Sequence, residues 1–235
     1  MPIYLLRMAT NPYVLTRLSS ADQTAQRLAL IPGAIRHPSP DLEIFSIPNF
    51  LDQEMCDWIM DLIDKNAVPS KIVDYSGDDY FRTSSTCNLD HKDPVVRSLN
   101  GYIHAAAGIA QMFGEPLQGQ RYFVGEEFKA HTDYFNVDLP GFQEHCGVHG
   151  QRTWTMMIYL NETAQGGETY FGNIDQLFTP QVGTMVAWNN VGQDGMPNPY
   201  SLHHGMPVIE GSKYIITKWF RERPYAWPAG MLTDE

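Results

Sequence analysis

The sequence has 235 residues, of which 43% are hydrophobic and 18% are charged. This length and composition fit one globular domain, with or without an extension, and exclude a disordered chain. The formal net charge of −11, with no long basic stripe to offset it, argues against a nucleic-acid backbone as a partner.

The cysteines and the apolar runs bear on the compartment. Cys56, Cys87 and Cys146 are too few and too scattered for a disulfide framework and suit a reducing compartment. The segment 1–15 lacks an apolar stretch long enough for a signal peptide. No run approaches the roughly 18 apolar residues that a membrane span requires. We therefore expect a cytoplasmic protein with neither a membrane nor a nucleic acid as partner.

Residues 1–40 are the least organised part of the sequence and form an N-terminal extension that ends in the proline-punctuated stretch IPGAIRHPSPD. One short helix is predicted near residues 21–30, after the candidate capping residue Ser20. From residue 41 the pattern sharpens, and we predict a single domain over residues 41–235 with its core motifs in 119–223. The segment LEIFSIP predicts the first strand of this domain.

Two amphipathic helices are predicted next. Asp52 is a candidate N-cap for the first, and the second is predicted to begin at Asp93-Pro94, because proline is favoured at the first helical position. Apolar residues follow each start at helical spacing: Met55, Trp58, Ile59, Leu62 and Ile63, and then Val95, Val96, Leu99, Ile103, Ala106 and Ala110. Both apolar faces need a sheet to pack on.

The second half of the sequence consists of short β-rich segments between Gly, Pro and Asn clusters. They are predicted near residues 119–124, 127–132, 154–160, 168–171, 183–189, 205–209 and 213–221. Helices followed by many short strands predict a mainly β fold with flanking helices. We interpret it as a double-stranded β-helix, or jelly roll, packed on the N-terminal helices.

The segment FKAHTDYF places His131 and Asp133 two residues apart. In a strand, residues i and i+2 point to the same face, so both side chains can reach one ion. This mixed N,O set suits iron(II), manganese or zinc. The third ligand must come from a later strand, where His203 and His204 are the candidates. Two histidines and one carboxylate leave three coordination positions open, as oxygenases require, whereas structural zinc sites are closed by four protein ligands.

Two further segments are interpreted as lids. The loop FQEHCGVHG contains His145, Cys146 and His149, and offers an alternative metal site that lacks a fourth ligand nearby. We interpret it as a lid, because it leaves the HxD segment and returns at Arg152. The stretch VDYSGDDYF is a second candidate lid. Its side chains predicted to touch a substrate are Tyr75, Asp78 and Tyr80.

From Arg82 to Arg223 the sequence resembles the prolyl 4-hydroxylase branch of the 2-oxoglutarate-dependent oxygenases. FRTSSTCNLD resembles a stretch that precedes a long helix, RYFVGEEFKAHTD the strand that leads into HxD, and GQRTWTMMIYLNETAQGGETYF the central strand with its GGxTxF element. VGTMVAWNN is similar to a strand that ends in an aromatic residue. SLHHGMPVIEGSKYIITKWFRER is similar to the distal block, in which a lysine follows a histidine by ten residues. That spacing favours His203, which is followed by Lys213, over His204, which is followed by Tyr214.

The resemblance implies that His131, Asp133 and His203 bind Fe(II). It also implies that Lys213 pairs with the far carboxylate of the cosubstrate 2-oxoglutarate. A buried unpaired ammonium group is costly, which makes Lys213 difficult to explain as a packing residue. Further residues that the resemblance implies are Tyr159, Tyr122 and Thr217 at the cosubstrate and Arg152 and Trp188 at the substrate.

Alternatives remain open for three of these side chains. Tyr159 and Trp188 would also serve as ordinary core aromatics of a sheet, and Arg152 as a salt-bridge partner at the rim of the site.

The resemblance implies a hydroxylase that uses Fe(II), 2-oxoglutarate and O2, with L-ascorbate as a further cofactor. It couples oxidative decarboxylation of 2-oxoglutarate to hydroxylation of a prolyl residue in a protein or peptide. The motifs report the metal and the cosubstrate, so a free amino acid or another small metabolite stays open as the substrate. A metal-binding module without turnover is the alternative from another functional class.

Overall fold

The computed structural model describes residues 23–70, 81–139, 141–192 and 194–225. Within these ranges the chain forms 14 strands, paired antiparallel, and three α-helices besides the helical residues 23–29. This confirms the predicted mainly β architecture with flanking helices. None of the helices among the described residues is long and apolar enough to cross a membrane.

The strands and helices are numbered here in chain order. The strands are β1 (Ile35–Arg36), β2 (Ile44–Ile47), β3 (Val68–Pro69), β4 (Ser85–Asn88), β5 (Gln118–Tyr122), β6 (Phe128–His131), β7 (Arg152–Tyr159), β8 (Gln165–Gly166), β9 (Thr169–Phe171), β10 (Gln176–Phe178), β11 (Met185–Asn189), β12 (His203–Gly205), β13 (Val208–Glu210) and β14 (Lys213–Arg221). The helices are α1 (Gln53–Asn66), α2 (Pro94–Ala107) and α3 (Phe142–Cys146).

The strands form a large sheet in the order β1-β2-β11-β7-β14-β5-β4-β3 and a smaller one in the order β10-β9-β12-β6, with β13 and β8 as a separate pair. The central neighbours of each sheet are distant in sequence, such as β2 and β11, β14 and β5, or β12 and β6, as in a double-stranded β-helix. Apolar side chains of the two sheets meet in one buried cluster, which includes Tyr122, Met157, Tyr159, Phe171, Trp188 and Ile215. The two sheets therefore enclose a common interior.

The starts of both long helices agree with the capping predictions. The side chain of Asp52 accepts a hydrogen bond from the backbone N–H of Met55 at 2.8 Å. Asp93 caps α2 in the same way, with Pro94 in the first turn. The predicted apolar face of α2 is wrong at Ala110, because Gly108 ends the helix in a left-handed conformation and leaves Ala110 exposed.

The face of the large sheet remote from the smaller sheet packs against α1 and α2. One buried cluster joins Cys56, Ile59 and Ile63 of α1, Val96, Leu99, Ile103 and Ala107 of α2, and Phe45, Trp154, Ile158, Ile216 and Phe220 of the strands. Burying each large side chain contributes about 1.5–3 kcal/mol. Trp58 was predicted on the buried apolar face of α1, but its side chain is 37% exposed.

The described residues before the predicted domain boundary at residue 40 contact the domain. Residues 23–29 are helical, and Leu28 is fully buried in the helix-side cluster. The strand β1 pairs with β2 at the edge of the large sheet. Residues 23–29 and β1 therefore pack against the domain, and the division into an extension over residues 1–40 and a domain over 41–235 stays a prediction.

Alternate residues of β14 face opposite sides of the large sheet. One set lines an internal cavity: Lys213, Ile215, Thr217 and Trp219. The other set packs on the helix side: Tyr214, Ile216 and Phe220. The strand β14 therefore lies between the helix-side core and the internal cavity, with side chains in both.

The single strand predicted near residues 205–209 is two strands in two different sheets. The strand β12 pairs with β6 and β9, whereas β13 pairs with β8. Pro207 lies between them and has no backbone N–H to continue a ladder, so the pairing ends there. The short strands β1, β3, β4, β8 and β10 were not predicted.

Substituting Gly166 in the GG element is expected to lower the free energy of unfolding by about 2–5 kcal/mol. Gly166 has φ of +79°, which costs about 1–2 kcal/mol for a residue with a Cβ atom. A Cβ atom there would also lie 2.4 Å from the carbonyl oxygen of Pro207, and such overpacking costs about 1–3 kcal/mol. Urea unfolding of Gly166→Ala measures the sum.

The control for this prediction is Gly33→Ala, because Gly33 has the same φ of +79° with no atom within 4 Å of an added Cβ. It is expected to lose only the backbone contribution. An equal loss in both variants would contradict the role of the close approach to Pro207.

Candidate active site

Three side chains that could ligate a metal converge at the smaller sheet, where the end of β6 lies beside the start of β12. His131 ends β6 and His203 begins β12, and the two residues are direct partners in the antiparallel ladder. Their ring centroids lie 4.2 Å apart. One ligand atom from each of His131, Asp133 and His203 lies within 4.8 Å of the other two. Strand pairing thus brings together residues that are about 70 positions apart.

Asp133 reaches the cluster by a different route from the predicted one. The strand β6 ends at His131, so Asp133 lies in the bend that follows and not on the same strand face. Its Oδ1 atom is 3.9 Å from Nε2 of His131, and its Oδ2 atom accepts a hydrogen bond from the Thr155 hydroxyl at 2.7 Å. The bend and this bond place the carboxylate beside the imidazoles.

Both imidazoles present the same nitrogen to the cluster. Nδ1 of His131 lies 2.8 Å from the carbonyl oxygen of Lys129, and Nδ1 of His203 lies 2.9 Å from that of Ser201. A carbonyl accepts only, so each Nδ1 carries the proton and each Nε2 keeps its lone pair for a metal.

Electrostatics favour the neutral, metal-binding form of both histidines. Burial, followed by the neighbouring His203, holds the pKa of His131 well below its usual value. Burial also lowers the pKa of His203, although the carboxylate of Asp133 acts in the opposite direction. Neutral imidazole is the form that ligates metals, so the site does not need to lose protons near neutral pH.

His204, the competing candidate, points away from this cluster. Its Nε2 atom lies 2.8 Å from the carboxylate of Glu127. Successive residues of a strand face opposite sides, so His203 and His204 cannot both reach the metal position. The ten-residue spacing to Lys213 therefore selected the histidine that the structure brings to the cluster.

The cluster opens into a cavity between the two sheets. Its walls are formed by Gln120, Tyr122, Phe128, His131, Asp133, Met157, Thr169, Trp188, His203, Gly205, Lys213, Ile215, Thr217 and Trp219. Trp188, predicted as a wall of the site, packs edge-on against His203 with the ring centroids 4.8 Å apart. The cavity is mostly apolar, with the potential metal ligands and Lys213 among its polar groups.

Lys213 is a buried cation inside this cavity, only 2% exposed. Its ammonium nitrogen lies 5.3 Å from the ring centroid of Tyr122 and 5.5 Å from that of Tyr159. No carboxylate in the described ranges forms an ion pair with it. Burial lowers the pKa of Lys213 to about 7, against a smaller opposing effect of Glu168. Such a group favours an anionic ligand that restores its charge.

Tyr122 and Thr217 line the cavity on either side of Gln120. The Tyr122 hydroxyl donates to Oε1 of Gln120 at 2.7 Å, and Nε2 of Gln120 donates to the Thr217 hydroxyl at 3.1 Å. Burial raises the pKa of Tyr122, so its phenol stays protonated. Because Thr217 accepts from Gln120, its own proton is available to an acceptor in the cavity.

Tyr159 is adjacent to the cavity, but its hydroxyl is engaged elsewhere. The hydroxyl lies 2.7 Å from Oγ1 of Thr169 and 3.1 Å from the carbonyl oxygen of Phe178. Thr169, which the sequence did not single out, is the residue of this pair that lines the cavity. A direct bond from Tyr159 to the cosubstrate stays a prediction, and in this structure the tyrosine supports Thr169 and the Lys213 ammonium.

Arg152 is held in a buried ion cluster. Its guanidinium makes two bonds to the carboxylate of Glu115, at 2.7 and 2.9 Å, and Arg221 pairs with the same carboxylate at 2.6 Å. The guanidinium carbon lies 4.0 Å above the ring of Trp219, a cavity residue. The salt-bridge alternative therefore describes the contacts of Arg152 here, and its role toward a substrate stays a prediction.

The two candidate lids have different outcomes. Tyr75, Asp78 and Tyr80 lie outside the described residues. In the other loop, Cys146 contacts Gln151, His149 bonds to the backbone of Pro224, and His145 stacks on Phe135. Among the described residues, the one group of three or more potential metal ligands is that of His131, Asp133 and His203. The loop thus gives no support to a second metal site.

Comparison with known proteins identifies the family. A model of the 2OG-Fe(II) oxygenase superfamily matches residues 117–221. Prolyl 4-hydroxylase 2 of Arabidopsis thaliana is 30% identical over an alignment of 229 residues that spans 84% of this chain and 75% of the relative. The chain belongs to the prolyl 4-hydroxylase branch of the 2OG-Fe(II) oxygenases.

Solved structures agree on the fold of this family member. A viral collagen prolyl hydroxylase from Paramecium bursaria Chlorella virus-1, solved as its 2-oxoglutarate complex, is 23% identical with a TM-score of 0.58 over 76% of this chain and 95% of that one. A Trichoplax adhaerens prolyl hydroxylase bound to a hypoxia-inducible-factor peptide is 13% identical with a TM-score of 0.60 over 92% of this chain and 95% of that one. Both likenesses bear on the jelly-roll core alone.

The residues present fit the cofactors of this oxygenase family. The donor set of two Nε2 atoms and one carboxylate oxygen suits Fe(II) and leaves positions open for other ligands. The buried ammonium of Lys213 needs an anion, which a dicarboxylic acid supplies. Family membership therefore confirms the predicted enzyme class, a dioxygenase that uses Fe(II), 2-oxoglutarate and O2.

Several side chains around the site were not found from the sequence of this oxygenase. They are Thr155 and Asn190 beside Asp133, Gln120 and Thr169 in the cavity wall, and Glu115 between the two arginines. A sequence pattern shows that such residues face inward, but their partners lie far away in the chain. Of these residues, Thr155 had a signal in the sequence, because its polar side chain interrupts the apolar run TWTMMIYL.

Proposed function

We propose that this chain is a prolyl 4-hydroxylase that acts on a prolyl residue in a peptide or protein. His131, Asp133 and His203 hold Fe(II), and Lys213 anchors 2-oxoglutarate. The observation that carries the proposal is the placement of a buried lysine, which no carboxylate of the described residues pairs with, in the same cavity as the His-Asp-His cluster. A metal module without turnover has no need for that lysine.

The protein's own contribution is to position the metal ligands and the cosubstrate and to exclude water from the site. Backbone carbonyls fix both imidazoles with Nε2 toward the metal, and Thr155 fixes Asp133. Iron, when bound, supplies the activation of oxygen that couples decarboxylation of 2-oxoglutarate to hydroxylation. The Lys213 ammonium neutralises the far carboxylate, and Thr217 donates a proton from the same strand. The apolar walls keep the reacting groups away from water.

The prolyl substrate is supported by the relatives, which are named as prolyl 4-hydroxylases, and by a neighbour of the same fold that holds a peptide. Mass spectrometry of a proline-containing peptide panel, with Fe(II), 2-oxoglutarate and ascorbate supplied, tests it. We expect a mass gain of one oxygen atom on proline, matched by succinate. Peptides with alanine in place of proline are the control. Hydroxylation of free amino acids, with none on peptides, would contradict the proposal.

We also propose that L-ascorbate sustains turnover by keeping the iron reduced. Omitting ascorbate is expected to reduce the number of turnovers before activity stops, without changing the initial rate. An enzyme that completes as many turnovers without ascorbate as with it would contradict this part of the proposal. The support is membership of the branch and the use of redox-active iron.

A cytoplasmic location is likewise proposed. Its support is that Cys56, Cys87 and Cys146 are all buried and free, as expected in a reducing compartment. Cell fractionation with a marker enzyme for each compartment tests it, and recovery outside the cytoplasmic fraction would contradict it.

The affinity for 2-oxoglutarate is expected to weaken above neutral pH. The pKa of Lys213 in the empty cavity is about 7, and the dicarboxylate favours the charged amine, so the pKa rises on binding. Below pH 7 the amine is already protonated, whereas above it binding must take up a proton. The dissociation constant is therefore expected to rise about tenfold per pH unit above 7.

Calorimetry with Mn(II) in place of Fe(II), in two buffers of different ionisation enthalpy, measures this proton uptake. At pH 8 we expect an uptake of about 0.9 proton per molecule bound. Lys213→Met is the control and is expected to take up none. A dissociation constant that stays flat between pH 7 and pH 9 would rule out Lys213 as the titrating anchor.

A further inference from the structure

A hydrogen bond from a neighbouring strand occupies one of the two carboxylate oxygens of Asp133. The Thr155 hydroxyl lies 2.7 Å from Oδ2, whereas Oδ1 is the oxygen nearer to His131. Thr155 lies in the middle of β7 and is fully buried, and Asp133 is 7% exposed. With water excluded, this bond is charge-assisted and strong. Only Oδ1 is left on the side of the imidazoles.

The direction of this bond is fixed by a second buried residue. Nδ2 of Asn190 lies 2.8 Å from the Thr155 hydroxyl oxygen. An ionised carboxylate only accepts hydrogen bonds, so the hydroxyl proton of Thr155 lies toward Asp133, and its oxygen accepts from Asn190. Asn190 is itself fully buried, and its backbone bonds to Thr153 and Asn198 on either side. The result is a one-way chain from Asn190 through Thr155 to Asp133.

We propose that Thr155 and Asn190 are positioning residues that restrict Asp133 to one metal-bound oxygen. The inference rests on the proposed function, because it takes His131, Asp133 and His203 as the metal site. A carboxylate freed from Thr155 can turn so that both oxygens reach the metal, as carboxylates do in other sites. The second oxygen would then occupy a coordination position that the cosubstrate or oxygen requires.

The test is metal binding to Thr155→Val without 2-oxoglutarate, so that it does not depend on turnover. Valine keeps the branched shape and removes the hydroxyl. Loss of an outer partner of a metal ligand typically weakens affinity about 10–100-fold, and we expect that range for Mn(II), measured by its EPR signal. Thr155→Ser is expected to restore the wild-type dissociation constant. The visible spectrum of bound Co(II) is expected to change in Thr155→Val and to return in Thr155→Ser.

Thr153→Val is the matched control, since Thr153 lies on the same face of β7 and its hydroxyl donates to the backbone carbonyl of Phe220 at 3.2 Å. It is expected to keep wild-type metal affinity. Asn190→Ala, which leaves the Thr155 hydroxyl unoriented, is expected to weaken Mn(II) binding severalfold and serves if Thr155→Val does not fold.

The outcomes separate the positioning proposal from the proposed function. Wild-type Mn(II) affinity and an unchanged Co(II) spectrum in Thr155→Val, or wild-type affinity in Asn190→Ala if only that variant folds, would overturn the positioning role. Mn(II) binding that survives unchanged in Asp133→Ala would instead remove this carboxylate from the ligand set, and the proposed function, which takes Asp133 as a ligand, would fail with it.

Discussion

Lys213→Met is expected to weaken 2-oxoglutarate binding by a factor of about a hundred to several thousand while metal binding remains. Methionine fills nearly the same space as lysine but leaves the far carboxylate without its counter-ion in a buried cavity. Removing one partner of a buried ion pair costs about 3–5 kcal/mol, which corresponds to this loss of affinity. Calorimetry with Mn(II) and the KM for 2-oxoglutarate both measure it.

The same strand provides a matched control in Lys218. This second buried lysine faces the helices, where its ammonium bonds to Oδ1 of Asn100 at 2.9 Å, and burial likewise lowers its pKa to about 7. Lys218→Met is expected to lower stability without weakening 2-oxoglutarate binding. If both variants lost affinity equally, the effect would come from the strand and not from the anchor. If Lys213→Met kept its affinity, the cosubstrate assignment would be wrong.

The regular elements with local signals were predicted well from the sequence. Capping by Asp52 and Asp93 and the apolar spacing after them depend on neighbours within four residues, so the sequence contains the whole signal. The long strands β7 and β14 were predicted for the same reason. The break at Pro207 and the short strands were missed, because pairing of two or three residues depends on partners elsewhere in the chain.

The candidate metal and cosubstrate residues were predicted mainly through family resemblance. Local reasoning about His131 and Asp133 gave a pair that the structure brings together, but for an incomplete reason, since the strand ends before Asp133. Nothing in the alternation of a strand distinguishes His203 from His204, and the spacing to Lys213 made that choice. The resemblance thus supplied long-range information that periodicity lacks.

The polar partners of the site were not predictable in this way. Glu115 meets Arg152 across 37 residues of sequence, and Asn190 meets Thr155 across 35. The sequence left a salt bridge of Arg152 open as an alternative, but the identity of the partner depends on the sheet order. The hydrogen bonds that hold the site rigid are therefore seen only in the folded structure.

His131→Ala and Asp133→Ala are expected to lose metal binding, with affinity for Mn(II) or Fe(II) reduced by more than about a hundredfold. Removing an outer partner of a ligand already costs about 10–100-fold, and removing a ligand from a set of three costs more. Because the near end of 2-oxoglutarate depends on the metal, excess cosubstrate is expected not to restore activity, in contrast to Lys213→Met. Metal titration followed by elemental analysis measures the loss.

His204→Gln, which keeps a donor for Glu127 next to the proposed ligand His203, is the control and is expected to bind metal normally. Equal loss in His204→Gln would mean that the variants disturb the β6–β12 pairing, and metal retained in Asp133→Ala would remove this carboxylate from the ligand set.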